Sequence, residues 1–243
     1  MSNHPARPPV SVCLASYNGA HYIEAQIHSV LDQLSQQDEL IVSDDSSQDQ
    51  TLALVQQLGD PRIRILQSTI QKGIIQNFEN ALSHAKHGYI FLCDQDDIWL
   101  PGKVDACVRL LQTAVLVVTD CTVVDAHLQP LHASFFTLRG SRAGILTNLW
   151  KNSYLGCCMA FRKSILQRAL PLPAKLPMHD MWLGLVAQTC GPVIFLPEPL
   201  CLYRRHSQAN SDAAGKSRAT PFQQIGFRIR LLVALVLRLS LKQ

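Results

Sequence analysis

Short apolar runs alternate with segments whose apolar residues recur every three or four positions through the first half of the chain. Val10 to Ala15, Leu40 to Val42 and Tyr89 to Cys93 are runs of the first kind and predict buried strands. Arg62 to Leu66 alternates charged and apolar residues, as a strand with one covered face does. Between the strands, three groups fall at helical spacing: Ile23, Ile27, Val30, Leu31 and Leu34; Leu52, Val55 and Leu58; Ile74, Ile75, Phe78, Leu82 and Ala85. Strand and helix take turns, which is the order that builds a mostly parallel central sheet flanked by helices, an α/β fold.

The second half is less regular. Pro101 opens a predicted helix through Val104, Val108 and Leu111, and Ala114 to Thr119 reads as a strand ending at Asp120. No clear period runs from there to about Leu155. Pro171, Pro173 and Pro177 predict an irregular loop before a helix over Trp182 to Gln188. Val193 to Leu196 and Leu200 to Tyr203 read as two further strands.

Three predicted strands end in polar clusters: Ser16-Tyr17-Asn18-Gly19, Asp44-Asp45-Ser46-Ser47 and Asp94-Gln95-Asp96-Asp97. Open α/β sheets bind ligands at the carboxyl ends of their strands, so convergence of the three on one rim makes a single site. The three carboxylates of the last cluster repel one another unless something positive sits among them. A hard divalent cation carrying a phosphorylated substrate meets that need. The alternative is an acidic surface turn that caps the following helix.

Composition narrows the class. A chain of 243 residues with 47% hydrophobic and 16% charged residues buries a substantial core and is not disordered. No apolar run approaches the roughly 20 residues of a membrane span. Met1 to Pro9 is polar and lacks the apolar core of a signal peptide. The eight cysteines include no CxxC pair and sit mostly among apolar neighbours, which reads as reduced, buried thiols in a cytoplasmic protein. The net charge of +4 is concentrated: from Gly215 onward there are six basic residues and no acidic one, leaving 16 basic against 18 acidic before it. Such a body has no basic footprint for nucleic acid.

Taken together, Ser11 to Gly19, Ile41 to Thr51 and Cys93 to Trp99 resemble the motifs of a family 2 glycosyltransferase of the GT-A fold. Gly73, Asn77-Phe78, the stretch from Asp94 to Lys103, His179-Asp180-Met181-Trp182 and Tyr203-Arg204-Arg205-His206 are similar to its bacterial rhamnosyltransferase-like members. The likeness spans roughly Pro9 to Asn210. It implies a GT-A domain over 1–210, with a nucleotide-sugar half at 9–120 and an acceptor half at 121–210, followed by a tail at 211–243.

The resemblance further implies a nucleoside-diphosphate sugar donor, dTDP-rhamnose or a UDP-sugar, and a bound Mn²⁺ or Mg²⁺. On this chain Ser16, Tyr17 and Asn18 would line the nucleotide pocket, Asp44 or Asp45 would face the base, and Asn77 and Gln95 would contact the donor. Asp94 would lie near the ribose and sugar, Asp96 would be the principal metal ligand with Asp94 and His206 beside it, and Asp97 would be structural. Inversion at the anomeric carbon needs a base, and Asp180 is the candidate, its bland reading being a helix N-cap. Arg204, Arg205 and His206 would face the leaving diphosphate, or form a solvated basic turn. Lys72 and Lys103 are weaker candidates of the exposed type, and Trp99 and Trp182 divide between sugar platform and core.

Phe222 to Leu241 is mostly apolar, with Arg228, Arg230, Arg238 and Lys242 gathered on one imperfect polar arc. Residues 222–242 are thus a candidate peripheral membrane contact at the cytoplasmic face, or a terminal helix packed on its own domain. The expected product is a cell-surface glycan such as lipopolysaccharide O-antigen or capsule, built on a glycan or lipid-linked glycan acceptor. Two other readings stand beside this one. A sugar-phosphate nucleotidyltransferase would need a glycine-rich basic loop, which Ser16 to Gly19 is not. A non-catalytic nucleotide-binding partner of a membrane assembly would keep the fold alone.

Overall fold

The computed structural model describes residues 7–67, 73–173, 176, 178–206 and 220–240, the last without the side chains of 221–224. The first half alternates as its pattern predicts: β1 (Val10–Ser16), α1 (Ile23–Leu31), β2 (Glu39–Asp44), α2 (Thr51–Gln57), β3 (Ile63–Gln67), α3 (Ile74–His84) and β4 (Tyr89–Asp94). β1 and β2 are buried along their whole length. Both faces are covered, which explains why their sequences are apolar runs rather than alternations. α1 lays Ile23, Ile27, Val30 and Leu31 against the sheet, and α3 does the same with Phe78, Ala81 and Leu82. Each large side chain so buried contributes about 1.5–3 kcal/mol.

The chain continues as β5 (Ile98–Trp99), α4 (Lys103–Leu110), β6 (Leu116–Val124), β7 (Pro130–His132), α5 (Phe135–Arg139), α6 (Ile145–Trp150), β8 (Met159–Arg162), α7 (Leu166–Ala169), α8 (His179–Cys190), β9 (Val193–Arg204) and α9 (Pro221–Ser240). Among the described residues nine strands share one sheet, ordered β3-β2-β1-β4-β8-β6-β9-β5, with β7 paired to β6. β1 to β4 pair in parallel, whereas β8 runs antiparallel between β4 and β6, so the second half of the sheet is mixed.

The second half departs from expectation at four places. The strand ending at Asp120 runs on to Val124, and the two strands expected before Tyr203 are one continuous β9 beside it. Its register shifts where Pro197 and Pro199 lie, because proline has no N–H to give to a ladder and a bulge takes up the slack. The stretch without periodicity holds β7, α5 and α6, each too short to show a period; Ser134 caps α5 by accepting the Thr137 N–H at 3.0 Å. Finally, α8 starts at His179 rather than Trp182, which puts Asp180 inside its first turn.

Lys103 is not the exposed lysine expected. It is fully buried, donates to the Cys157 carbonyl at 2.6 Å and lies 4.8 Å from the Trp99 ring centre. Trp99 and Trp182 are core residues, 2% and 0% exposed, and Trp182 Nε1 donates to the Ala169 carbonyl at 3.0 Å. All eight cysteines are free, and all but Cys190 are buried.

The terminal helix turns two of its three arginines inward, Arg230 being exposed. Arg228 donates to the carbonyls of Leu149 and Trp150 and stacks on the Trp150 ring, while Arg238 donates to those of Arg168, Leu170 and Pro171. Leu231 and Leu235 are buried between them. Ile225, Ile229, Leu232, Val233, Val236 and Leu237 face outward, with Arg230 among them. No helix among the described residues is long and apolar enough to cross a membrane.

Candidate active site

Strand register brings the polar clusters together. Ser16 stands opposite Asp44, and Ala15 opposite Asp94, so the three clusters follow the ends of neighbouring parallel strands. Two rim residues hold left-handed backbone, Asn18 at φ 47 and Ser46 at φ 63, conformations that non-glycine residues adopt at a cost. Side chains from across the rim hold the first turn. Tyr17 N–H donates to Gln95 Oε1 at 2.8 Å, and Gln95 Nε2 donates back to the Tyr17 carbonyl at 3.0 Å. Asn18 N–H donates to Ser47 Oγ at 2.9 Å, and Asn18 Oδ1 accepts the Gln48 N–H at 2.8 Å. Tyr17 is left 50% exposed.

The two acids after β2 differ in what they have left to offer. Asp44 accepts from Ser16 Oγ at 3.0 Å, Ser47 Oγ at 2.6 Å and Ser47 N at 2.8 Å, so both its oxygens are in use. Asp45 accepts the Gly73 N–H at 2.7 Å through Oδ2, and its buried Oδ1 has no partner among the described residues. Asn77 is 2% exposed; its Nδ2 donates to the Ser16 carbonyl at 3.0 Å, tying α3 to the end of β1. Lys72 lies outside the described residues.

The acidic turn is clasped by the end of β9. Arg204 N–H donates to Asp97 Oδ1 at 2.8 Å, and Arg204 Nε donates to the Asp96 carbonyl at 2.7 Å. Asp97 is 1% exposed and supports the turn; it takes its bond from β9 instead of capping the next helix. Arg204 also donates to the Ala126 carbonyl at 2.8 Å and lies over the Tyr22 ring, so its guanidinium is largely spent on structure. His206 Nε2 meets Asp96 Oδ2 at 2.7 Å, with its ring 4.8 Å from that of Tyr22. Arg205 donates its backbone N–H to the Val124 carbonyl at 2.8 Å. Its guanidinium shows no hydrogen bond among the described residues.

Burial, with the charges of Asp96 and Asp180 added, pushes Asp94 up to about 8. A cation at this turn would reverse that preference, because it rewards the ionised carboxylates. Carboxylates with one imidazole are donors of the kind that Mg²⁺ and Mn²⁺ accept, so Asp94, Asp96 and His206 fit such an ion chemically. Of the three, only Asp96 and His206 are in contact; the trio of close ligand atoms among the described residues is Asp97, Cys157 and Cys201, all buried.

Asp180 reaches the same place from the other half of the chain. It is 4% exposed and sits at the second position of α8, two residues past the actual N-cap, Met178, so it is no N-cap itself. The backbone N–H groups of Met181 and Gly156 hydrogen-bond its carboxylate, yet burial outweighs them and raises it to about 7. A methyl group built on Gly156 would lie 3.8 Å from Asp180 Cβ, 3.9 Å from Asp94 Oδ2 and 3.3 Å from His179 Nε2. Gly156 thus marks the point where the rim of strand ends and the start of α8 meet. His179 is 3% exposed, stacks on Phe78 at 4.0 Å between ring centres and is held neutral by burial, its pKa lowered to about 3.

Tyr22, Gly156 and His179 were not among the residues expected to form the site. Only the fold lays Arg204 and His206 against Tyr22. His179 had one signal, its place beside Asp180.

Residues 11–170 match the model of the family described as Glycosyl transferase family 2. The chain is 27% identical over 190 residues to the UDP-Glc:alpha-D-GlcNAc-diphosphoundecaprenol beta-1,3-glucosyltransferase WfgD of Escherichia coli, covering 73% of this chain and 69% of that protein. The crystal structure of S. aureus TarS 1–349 in complex with UDP-GlcNAc aligns with a TM-score of 0.72 at 17% identity, over 93% of this chain and 66% of that one. The mannosyltransferase PcManGT from Pyrobaculum calidifontis, in complex with GDP-Man and Mn²⁺, aligns with a TM-score of 0.65 at 18% identity, over 97% and 75%. At such identities the structural likeness establishes the fold, a mixed sheet flanked by helices.

Proposed function

The chain belongs to glycosyltransferase family 2, and on that premise we propose that it transfers a hexosyl or deoxyhexosyl group from a nucleoside-diphosphate sugar to a cell-surface glycan acceptor, with inversion. The observation that carries this is the meeting of Asp94, from the end of β4, with Asp180, from the start of α8, around Gly156. A UDP-linked donor is favoured over dTDP-rhamnose by the donor in WfgD's name and the ligand of the TarS crystal. WfgD's diphosphoundecaprenol acceptor supports a lipid-linked glycan here, of the kind that feeds lipopolysaccharide O-antigen or capsule. We assign 9–120 to the donor and 121–210 to the acceptor, with 211–243 as the tail.

Asp180 takes the proton of the acceptor hydroxyl as that oxygen attacks the anomeric carbon, and the bond from that carbon to the diphosphate breaks with its electron pair on the diphosphate oxygen. Its raised pKa suits a base working near neutrality. Ser16, Tyr17 and Asn18 shape the nucleotide pocket, and Asp45, with its unpartnered oxygen, faces the base in preference to Asp44. Gln95 and Asn77 hold the rim in place. A divalent cation held by Asp94, Asp96 and His206 would supply a Lewis acid for the departing diphosphate. Arg205 is the arginine left to meet the same charge, Arg204 being tied to carbonyls.

Peripheral contact with the cytoplasmic face of a membrane through 222–242 belongs to the same proposal, now through the outward apolar row of α9. The deciding experiment supplies UDP-hexoses, Mn²⁺ and a polyprenyl-diphosphate GlcNAc acceptor, and follows nucleoside-diphosphate release. Release that needs both metal and acceptor supports the transferase. Pyrophosphate release from UTP and a hexose 1-phosphate, supplied in a parallel assay, instead points to a nucleotidyltransferase, and donor binding without turnover to a non-catalytic partner.

A further inference from the structure

On the buried side of the acidic turn the fold gathers sulfur. Cys157 and Cys158, in the turn before β8, meet Cys201 of β9 and Asp97, and none of the four is more than 1% exposed. Ligand atoms of Asp97, Cys157 and Cys201 all lie within 4.8 Å of one another. Cys157 and Cys158 place their Sγ atoms 3.9 Å apart, and the thiols of Cys121 and Cys201 also flank Cys158. The residues come from segments far apart in the chain, so no cysteine spacing in the sequence shows the cluster.

Two buried groups at the cluster lack the partner their chemistry asks for. Asp97 accepts the Arg204 N–H at 2.8 Å through Oδ1, while its buried Oδ2 has no hydrogen-bond partner among the described residues and lies beside the Cys157 thiol. Lys103, wholly buried, donates to the Cys157 carbonyl at 2.6 Å, lies over the Trp99 ring and makes no ion pair among the described residues. Thiols crowd around it instead: Cys201, Cys158, Cys157 and Cys107. A buried carboxylate oxygen and a buried ammonium each lower stability unless an opposite charge meets them. Protonated thiols, weak as donors and as acceptors, meet neither need.

We propose that Cys157, Cys158, Cys201 and Asp97 form a structural site for one Zn²⁺ ion, separate from the divalent-cation set at Asp94, Asp96 and His206. Closed, sulfur-rich tetrahedral sets suit Zn²⁺, at about 2.3 Å to sulfur and about 2.0–2.2 Å to a carboxylate oxygen. Those lengths put neighbouring tetrahedral ligands about 3.5–3.8 Å apart, close to the 3.9 Å between the two adjacent thiols. The three thiols release their protons as the ion binds. Their thiolates and the Asp97 carboxylate then carry more negative charge than the ion carries positive, and the excess lies beside the Lys103 ammonium. Asp97 Oδ2 gains its partner in the ion. A single ion so held pins the acidic turn, the turn at Gly156 and β9 to one another. The inference stands apart from the glycosyltransferase reading and does not need it.

The test counts metal in the wild-type chain, purified without chelator or histidine tag from cells grown with added zinc. One zinc per chain is expected by plasma mass spectrometry, kept through dialysis, and its removal by a strong chelator should lower the melting temperature. Protein from cells grown with cobalt should show thiolate-to-cobalt charge-transfer absorption and the visible bands of a tetrahedral site. Cys158→Ala and Cys201→Ala should each lose the zinc, whereas Asp96→Ala should keep it while losing Mn²⁺ affinity. Wild-type protein without zinc, or cobalt protein without thiolate charge transfer, refutes the site. Zinc kept by both cysteine variants and lost from Asp96→Ala places the ion on the acidic turn and refutes it equally. Should the cysteine variants fail to fold, the wild-type metal count and the cobalt spectrum still decide.

Discussion

His206 and Asp96 stand 110 positions apart in the chain, and their Nε2 and Oδ2 atoms meet at 2.7 Å. The contact joins the end of the last strand to the acidic turn after β4 and completes the mixed carboxylate and imidazole set proposed to hold a divalent cation. His206→Ala is expected to weaken Mn²⁺ binding by about 10–100-fold, the usual effect of losing a ligand or its partner, and Asp96→Ala to weaken it at least as much. Calorimetric titration with Mn²⁺ measures this. Unaltered affinity in both variants removes the cation from this turn.

Asp180→Asn keeps the size of the side chain and removes its basicity. Donor affinity should stay within about twofold, while transfer falls by about 10²–10⁴-fold, the usual contribution of a placed base. A variant turning over at the wild-type rate shows that the proton goes elsewhere.

Asp180 also sets a pH dependence. Its folded pKa of about 7 lies above its unfolded value. Between about pH 4 and 7 the folded protein therefore holds a proton that the unfolded chain has released, and stability falls as pH rises, by about 1.4 kcal/mol per unit. Asp94, raised by burial and its acidic neighbours, adds in the same direction. The metal-free protein should melt higher at pH 5 than at pH 8, and Asp180→Asn should flatten the slope. Equal slopes in the two proteins would dismiss Asp180 as a source of the effect.

Asp44 and Asp45 are neighbours with different work. Asp44→Ala leaves the Ser47 hydroxyl and N–H without their acceptor, leaves Ser16 only the Ser43 carbonyl at 3.4 Å, and should cost about 1–3 kcal/mol in denaturant unfolding. Asp45→Asn keeps the shape and should act mainly on nucleotide affinity. Reversed phenotypes would exchange the two assignments.

For the tail, substitutions are preferable to truncation, since Arg228 and Arg238 hold α6 and α7 as well as α9. Val233→Asp with Leu237→Asp changes two outward residues only. Flotation with phosphatidylglycerol vesicles should show the wild-type chain bound and the double variant free. Equal flotation rejects this face as the contact.

The first four strands, their helices and the shared rim were readable because long, buried elements leave long, uniform patterns. Asp96, Asp180 and His206 were singled out from local clusters and resemblance, and of these the structure sets His206 against Asp96. The second half was harder. α5 and α6 each span fewer than seven residues, too few to show a period, and Pro197 and Pro199 disguised one bulged strand as two. Lys103 misled because a lysine's usual place is at the surface, and nothing near it in sequence announced the carbonyl and indole it meets. The close approach of His179, Asp180 and Asp94 around Gly156 depends on three segments of chain and is invisible in any one of them.

The clasp of Arg204 on Asp96 and Asp97 has a consequence for how the molecule is made. A ribosome delivers β1, β2 and β4 early, and their parallel ladders can form as soon as those segments emerge. The turn after β4 must wait for β9, which brings the arginine that secures it and, two residues on, the histidine that meets Asp96. Until then the young chain carries an acidic turn without its clasp. A nascent chain stalled before Tyr203 should therefore possess the parallel ladders of β1 to β4 yet ignore added manganese.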